Sequence, residues 1–83
     1  MEIGIYNSTI DEKVSKTLSN IRQRRTYLNY SQEYMALKLN ISQNAYSKIE
    51  RGLAQMTLQR LHEIADVLLT TPQKLITKDE MIS

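Results

Sequence analysis

The run SQEYMALKLNISQNAYSKIERG, from Ser31 to Gly52, leaves few folds open. It divides into two short helical stretches, each opened by a Ser-Gln pair, Ser31-Gln32 and Ser42-Gln43. A serine at the N-cap accepts a hydrogen bond from a backbone N–H that the first turn leaves unpaired. Glu33 adds a negative charge to the positive first turn of the earlier stretch. Met35 and Leu39 take the inward positions of that stretch, and Tyr46 and Ile49 those of the next. Ala36 lets the neighbouring backbone come close. Asn40 tolerates the left-handed conformation that ends a helix, Ile41 plugs the core, and Gly52 stops the second stretch.

The flanking sequence extends the same grammar. Thr9-Ile10-Asp11-Glu12 fits a capping box, with Thr9 as N-cap and Glu12 at the third helical position. The helix that follows carries Val14, Leu18, Ile21, Arg25 and Leu28 along one face and ends at Asn29. Beyond Gly52, Thr57 caps a helix with Leu58, Leu61, Ile64, Ala65 and Leu68 inside. Thr71 followed by Pro72 opens a short last helix, where Leu75 and Ile76 close the core. The expectation is an all-α, compact five-helix domain over residues 9–77. Residues 1–8, where Ile3 and Ile5 alternate with Glu2 and Gly4, are expected to form an N-terminal arm, and residues 78–83 a frayed tail.

Bulk properties narrow the function. A chain of 83 residues is one domain with one small core. It has no cysteine, which removes disulfides and thiolate metal sites. His62, the single histidine, has no ligating neighbour, so no metal or other cofactor is expected. No apolar run approaches a membrane span and no signal peptide is evident, so a cytoplasmic location is expected. Nothing resembles a nucleophile–base arrangement or a phosphate-cradling glycine loop, so the chain does not read as an enzyme. The net charge is only +2, but residues 21–51 hold Arg22, Arg24, Arg25, Lys38, Lys48 and Arg51 against Glu33 and Glu50. Positive charge is thus gathered around the two short helices, as neutralising a phosphate backbone requires.

Two short capped helices joined by a tight turn, inside a basic segment, have the layout of a helix-turn-helix that lays its second helix in the DNA major groove. With Ser42 as N-cap, Gln43 and Asn44 project from the first turn toward base edges, and Ser47 and Lys48 lie one turn on. Gln and Asn suit adenine N6 and N7, and Lys suits guanine O6 and N7. Ser31 and Gln32, at the start of the earlier helix, suit a phosphate approaching free backbone N–H groups. Tyr34, Arg22, Arg24, Lys38 and Arg51 are further candidates for phosphate.

Arg25 falls on an apolar stripe, and Glu50 stands four residues after Tyr46 on the inward side of its helix. A charge on a buried face needs a partner. An Arg25–Glu50 ion pair tying the first helix to the third is therefore expected.

The run IRQRRTYLNYSQEYMALKLNISQNAYSKIERG, followed by LQRLHEIADVLLTTPQKL, resembles the lambda-repressor-like, Cro/C1-type (XRE) helix-turn-helix family. The similarity covers about Ile21 to Leu75. It implies a five-helix DNA-binding domain, often a symmetric dimer on a palindromic site. It also implies that Gln32 touches phosphate, that Gln43, Asn44, Ser47 and Lys48 face bases, and that Arg25 pairs with Glu50. Asn40 replaces the usual glycine of the turn. Leu53-Ala54-Gln55-Met56 replaces a stretch that in many relatives is basic and then carries proline. The resulting expectation is a transcriptional repressor acting as a homodimer on a palindromic operator in double-stranded DNA, with reading helices about 34 Å apart. The alternative is an antitoxin, or another protein-binding module, on the same fold with a toxin as partner.

Overall fold

A computed structural model of the chain describes residues 2–77, with side chains described from Asp11 onward. Five helices follow one another: α1 (Glu2–Tyr27), α2 (Gln32–Leu39), α3 (Gln43–Glu50), α4 (Leu58–Val67) and α5 (Pro72–Ile76). The all-α expectation is met, with no strand among the described residues.

The starts of α2 to α5 follow from their caps. The hydroxyls of Ser31, Ser42, Thr57 and Thr71 accept from the backbone N–H of Tyr34, Ala45, Arg60 and Lys74 respectively. Each satisfies one of the donors that a helix start leaves open. Pro72 takes the first position of α5, where its missing N–H costs nothing.

The ends of α1 to α4 share a second device. Asn29, Asn40, Gly52 and Leu69 all have left-handed backbones, with φ of 62°, 62°, 75° and 59°. In each case two backbone bonds reach back into the last turn, as at α3, where Gly52 N–H bonds Ile49 and Leu53 N–H bonds Lys48. This is the Schellman motif, repeated four times. Asn29, Asn40 and Gly52 are residue types suited to that conformation. Leu69 is not, and its side chain is left 67% exposed.

The core gathers on Ile21 of α1, Met35 and Ala36 of α2, Tyr46 and Ile49 of α3, Leu61, Ile64, Ala65 and Leu68 along α4, and Leu75 of α5. α3 lies between α1 and α2, while α4 packs on α2 and α5, and α5 returns to α1. Asn20 is buried and donates from Nδ2 to the Leu75 carbonyl at 2.7 Å, fastening α5 to α1. Arg24 donates to the carbonyls of Leu68 and Leu69 at 2.9 and 3.1 Å, closing the C-terminal end of α4 with a cation.

Several expectations need correction. α1 begins at Glu2, so residues from Glu2 to Ser8 are helical instead of an arm, and Thr9 lies inside the helix instead of capping it. Nothing in that stretch forces a break: it has no proline, and a single Gly4 costs a helix only about 1 kcal/mol. Met1 and the tail from Lys78 lie outside the described residues. Leu58 and Ile76, assigned to the core, are 78% and 51% exposed, and Val14 on the stripe of α1 is 53% exposed. All three line one open groove, Val14 from α1, Leu58 from the first turn of α4 and Ile76 from the end of α5. No further element of this chain is laid over them among the described residues.

Candidate nucleic-acid interface

α3 is two-sided. Tyr46, Ile49 and Glu50 are buried, while Gln43, Asn44 and Lys48 are exposed and Ser47 is half-buried. The cap at Ser42 puts Gln43 and Asn44 in the first turn, at the end of the helix that carries a partial positive charge. The four residues expected to read bases therefore lie away from the core on one eight-residue helix, Gln43 and Asn44 in its first turn and Lys48 in its last.

That helix is held by its other side. The Glu50 carboxylate, 1% exposed, accepts four hydrogen bonds. Arg25 Nε reaches Oε2 at 2.6 Å and Arg25 Nη2 reaches Oε1 at 3.2 Å. The Tyr46 hydroxyl donates to Oε2 at 2.6 Å, and Gln32 Nε2 donates to Oε1 at 3.1 Å. Arg25 spends Nη1 on the Tyr30 carbonyl, and Arg22 reaches the Glu50 carbonyl at the end of α3. One carboxylate thus joins α1, α2 and α3. Arg25 and Glu50 meet as a two-pronged ion pair, the geometry that guanidinium and carboxylate favour.

The electrostatics follow from this arrangement. Burial pushes the Glu50 carboxyl up, but the hydrogen bonds from Arg25, Tyr46 and Gln32 and the Arg25 charge outweigh it, so the carboxyl lies below its ordinary value. The bond to Glu50 holds the Arg25 guanidinium above its ordinary value against the opposing effect of burial. Burial, then donation to the carboxylate, raises the Tyr46 phenol well above its ordinary value. No buried side-chain nitrogen or oxygen among the described residues is left without a partner.

The residues assigned to phosphate divide. Ser31 serves as the cap of α2. Gln32 gives one amide N–H to Glu50, and an amide nitrogen carries two, so the second is available beside the start of α2. Lys38 and Arg51 are exposed on the helix-turn-helix, and Arg22 is exposed beside the end of α3. Tyr34 is half-buried, its ring 4.4 Å from that of Tyr30, with the Lys38 ammonium 5.8 Å from its centre. Arg24 is corrected: its guanidinium closes α4 and lies over the Tyr27 ring, so it is committed to the fold. With Arg25 also bound inside, the basic character of residues 21–51 is carried outward by Arg22, Lys38, Lys48 and Arg51.

Sequence reasoning found the ion pair but missed the Tyr46 and Gln32 bonds to the same carboxylate. Tyr46 stands four residues before Glu50, the spacing at which helical side chains meet, so that signal was present. Gln32 reaches Glu50 across a tertiary contact and left no local sign.

No helix among the described residues is long and apolar enough to cross a membrane. No curated protein and no solved structure matches the chain. The sequence profile of the helix-turn-helix family matches residues 21–75, which begin in the last two turns of α1 and run into α5. On that match, which takes in both capped helices and the turn between them, the chain belongs to the Cro/C1-type helix-turn-helix family, a family of DNA-binding domains.

Proposed function

We propose that this protein is a cytoplasmic transcription regulator that binds a specific palindromic operator in double-stranded DNA as a homodimer and represses by occluding a promoter. The two-sidedness of α3 carries the reading. One side is fixed into the core through Glu50, and the other offers Gln43, Asn44, Ser47 and Lys48 together. Side chains that discriminate bases must be positioned by something other than the DNA, and each good two-pronged base contact is worth about 1–3 kcal/mol of discrimination. In this reading Gln43 and Asn44 meet adenines, Lys48 meets guanine, and Ser47 adds an adaptable hydroxyl. Ser31 and Gln32 present the start of α2 to a phosphate, and Tyr34, Arg22, Lys38 and Arg51 flank it.

The test is selection from a random duplex library at about 0.15 M salt, with a Gln43→Ala/Asn44→Ala variant in parallel. An enriched palindrome that the variant no longer selects supports the proposal. An enriched site that the variant still selects moves the reading surface off α3. A folded protein that enriches nothing overturns the proposal and favours a protein-binding role, such as that of an antitoxin, for the same fold.

A further inference from the structure

The exposed side chains of α3 are Gln43, Asn44 and Lys48. Gln43 and Asn44 are primary amides, adjacent in the first turn, and neither has a hydrogen-bond partner among the described residues. Lys48 is a cation in the last turn. The helix turns no acid outward, because Glu50, its sole carboxylate, is 2% exposed and held by Arg25, Tyr46 and Gln32. Of the exposed side chains, only the two amides can accept a hydrogen bond.

That composition is selective toward the base edges of a major groove. An amide offers a donor and an acceptor side by side. Adenine answers both, accepting at N7 and donating from the N6 hydrogen that its pairing with thymine leaves free. Guanine presents two acceptors, which suit Lys48. The adenine contact therefore hangs on one hydrogen atom. When N6 carries a methyl group, the nitrogen keeps a single hydrogen, and pairing with thymine takes it. The methyl then occupies the groove side of N6. An amide oxygen that met an N–H now meets a methyl and loses its donor in a contact closed to water. No exposed apolar side chain of α3 stands ready to pack on the methyl instead.

We infer that N6-methylation of the adenines facing Gln43 and Asn44 switches this protein off its DNA site. The inference rests on the base-reading role proposed for α3 above, and adds a control that acts on the DNA instead of on the protein. A bound copy covers the same N6 atoms, so occupancy and methylation exclude one another, as linked equilibria require. Each lost amide–adenine contact lowers affinity about tenfold, and the losses multiply over the amides of both copies in a homodimer.

The experiment takes the duplex pool that the wild type enriches from a random library and copies it twice, once with adenine and once with N6-methyladenine. Both copies are titrated with wild type and with Gln43→Ala/Asn44→Ala at low salt, where phosphate contacts keep the variant's binding measurable. The wild type is expected to bind the methylated copy at least about tenfold more weakly. The variant is expected to bind both copies alike, because its α3 has no amide left to lose. Both substitutions fall on exposed positions, so the thermal melt should hardly move. A methyl placed singly on each adenine of one enriched duplex then separates the two amides: the loss at one adenine should vanish in Gln43→Ala, and at another in Asn44→Ala. A wild-type affinity that methylation changes less than about threefold overturns the inference and leaves the DNA reading standing. A loss that persists in the double variant overturns it too, because the methyl then acts through DNA shape. A wild type that enriches no pool overturns both.

Discussion

Removing the Glu50 carboxylate tests how α3 is held. Glu50→Ala leaves the Tyr46 hydroxyl and two Arg25 nitrogens facing an apolar interior, with Arg25 only 12% exposed at its side chain. Breaking a buried pair by deleting one partner costs about 3–5 kcal/mol, mostly from the charge left behind. A chain of 83 residues has a total stability of roughly 4–12 kcal/mol, so the variant should be barely folded. The melting temperature should fall by roughly 12–40 °C. The chain has no tryptophan, so urea and thermal melts are best followed by far-ultraviolet circular dichroism. The urea midpoint should drop without a change in slope. Arg25→Ala should cost a similar amount, and the double variant should cost about 2 kcal/mol less than the sum of the singles, because the second deletion removes the stranded charge. A Glu50→Ala loss below about 1 kcal/mol, or strict additivity in the double variant, would refute the reasoning.

Three further outcomes follow from other parts of the fold. The folded-state pKa of Glu50 lies below its ordinary 4.5, so its contribution is complete above that value and is lost as pH falls through the lower folded value; urea midpoints between about pH 7 and pH 3 should therefore fall more steeply for wild type than for Glu50→Gln. Leu69→Gly relieves a left-handed backbone without removing buried surface, and should raise stability by up to about 1 kcal/mol despite the freer unfolded chain, visible as a higher melting temperature. Asn20→Ala leaves the Leu75 carbonyl without its donor and should cost about 1–3 kcal/mol, with amide exchange quickening first in α5.

What the sequence disclosed was local chemistry. Ser31, Ser42, Thr57 and Thr71 announce helix starts because a hydroxyl is needed at those positions, and Asn29, Asn40 and Gly52 announce ends because few residues tolerate a left-handed backbone. Arg25 and Glu50 were legible because a charge on an inward stripe is costly alone. What escaped depended on where the domain stops. Leu58 and Ile76 have the right spacing for the core, but spacing cannot tell that they line an open groove instead. Leu69 takes the left-handed position against its own preference, because Leu68 must be buried and the chain must turn straight after it. Arg24 carries the same charge as its neighbours, and only the end of α4 across the fold distinguishes it from a phosphate ligand. Tyr46 and Gln32 show the same limit at the site, since their common carboxylate is assembled from three helices.

The division of labour along α3 bears on how such a protein can change. None of Gln43, Asn44 and Lys48 contributes to the core, and the anchoring side chains of Arg25, Tyr46 and Glu50 are taken up with one another. Substitutions on the outward side are therefore nearly free of folding cost, typically within about 0.5 kcal/mol. On the proposed reading of α3, a lineage carrying this domain drifts to new target sequences by exchanging a few outward side chains, with Arg25, Tyr46 and Glu50 left as an unaltered mount.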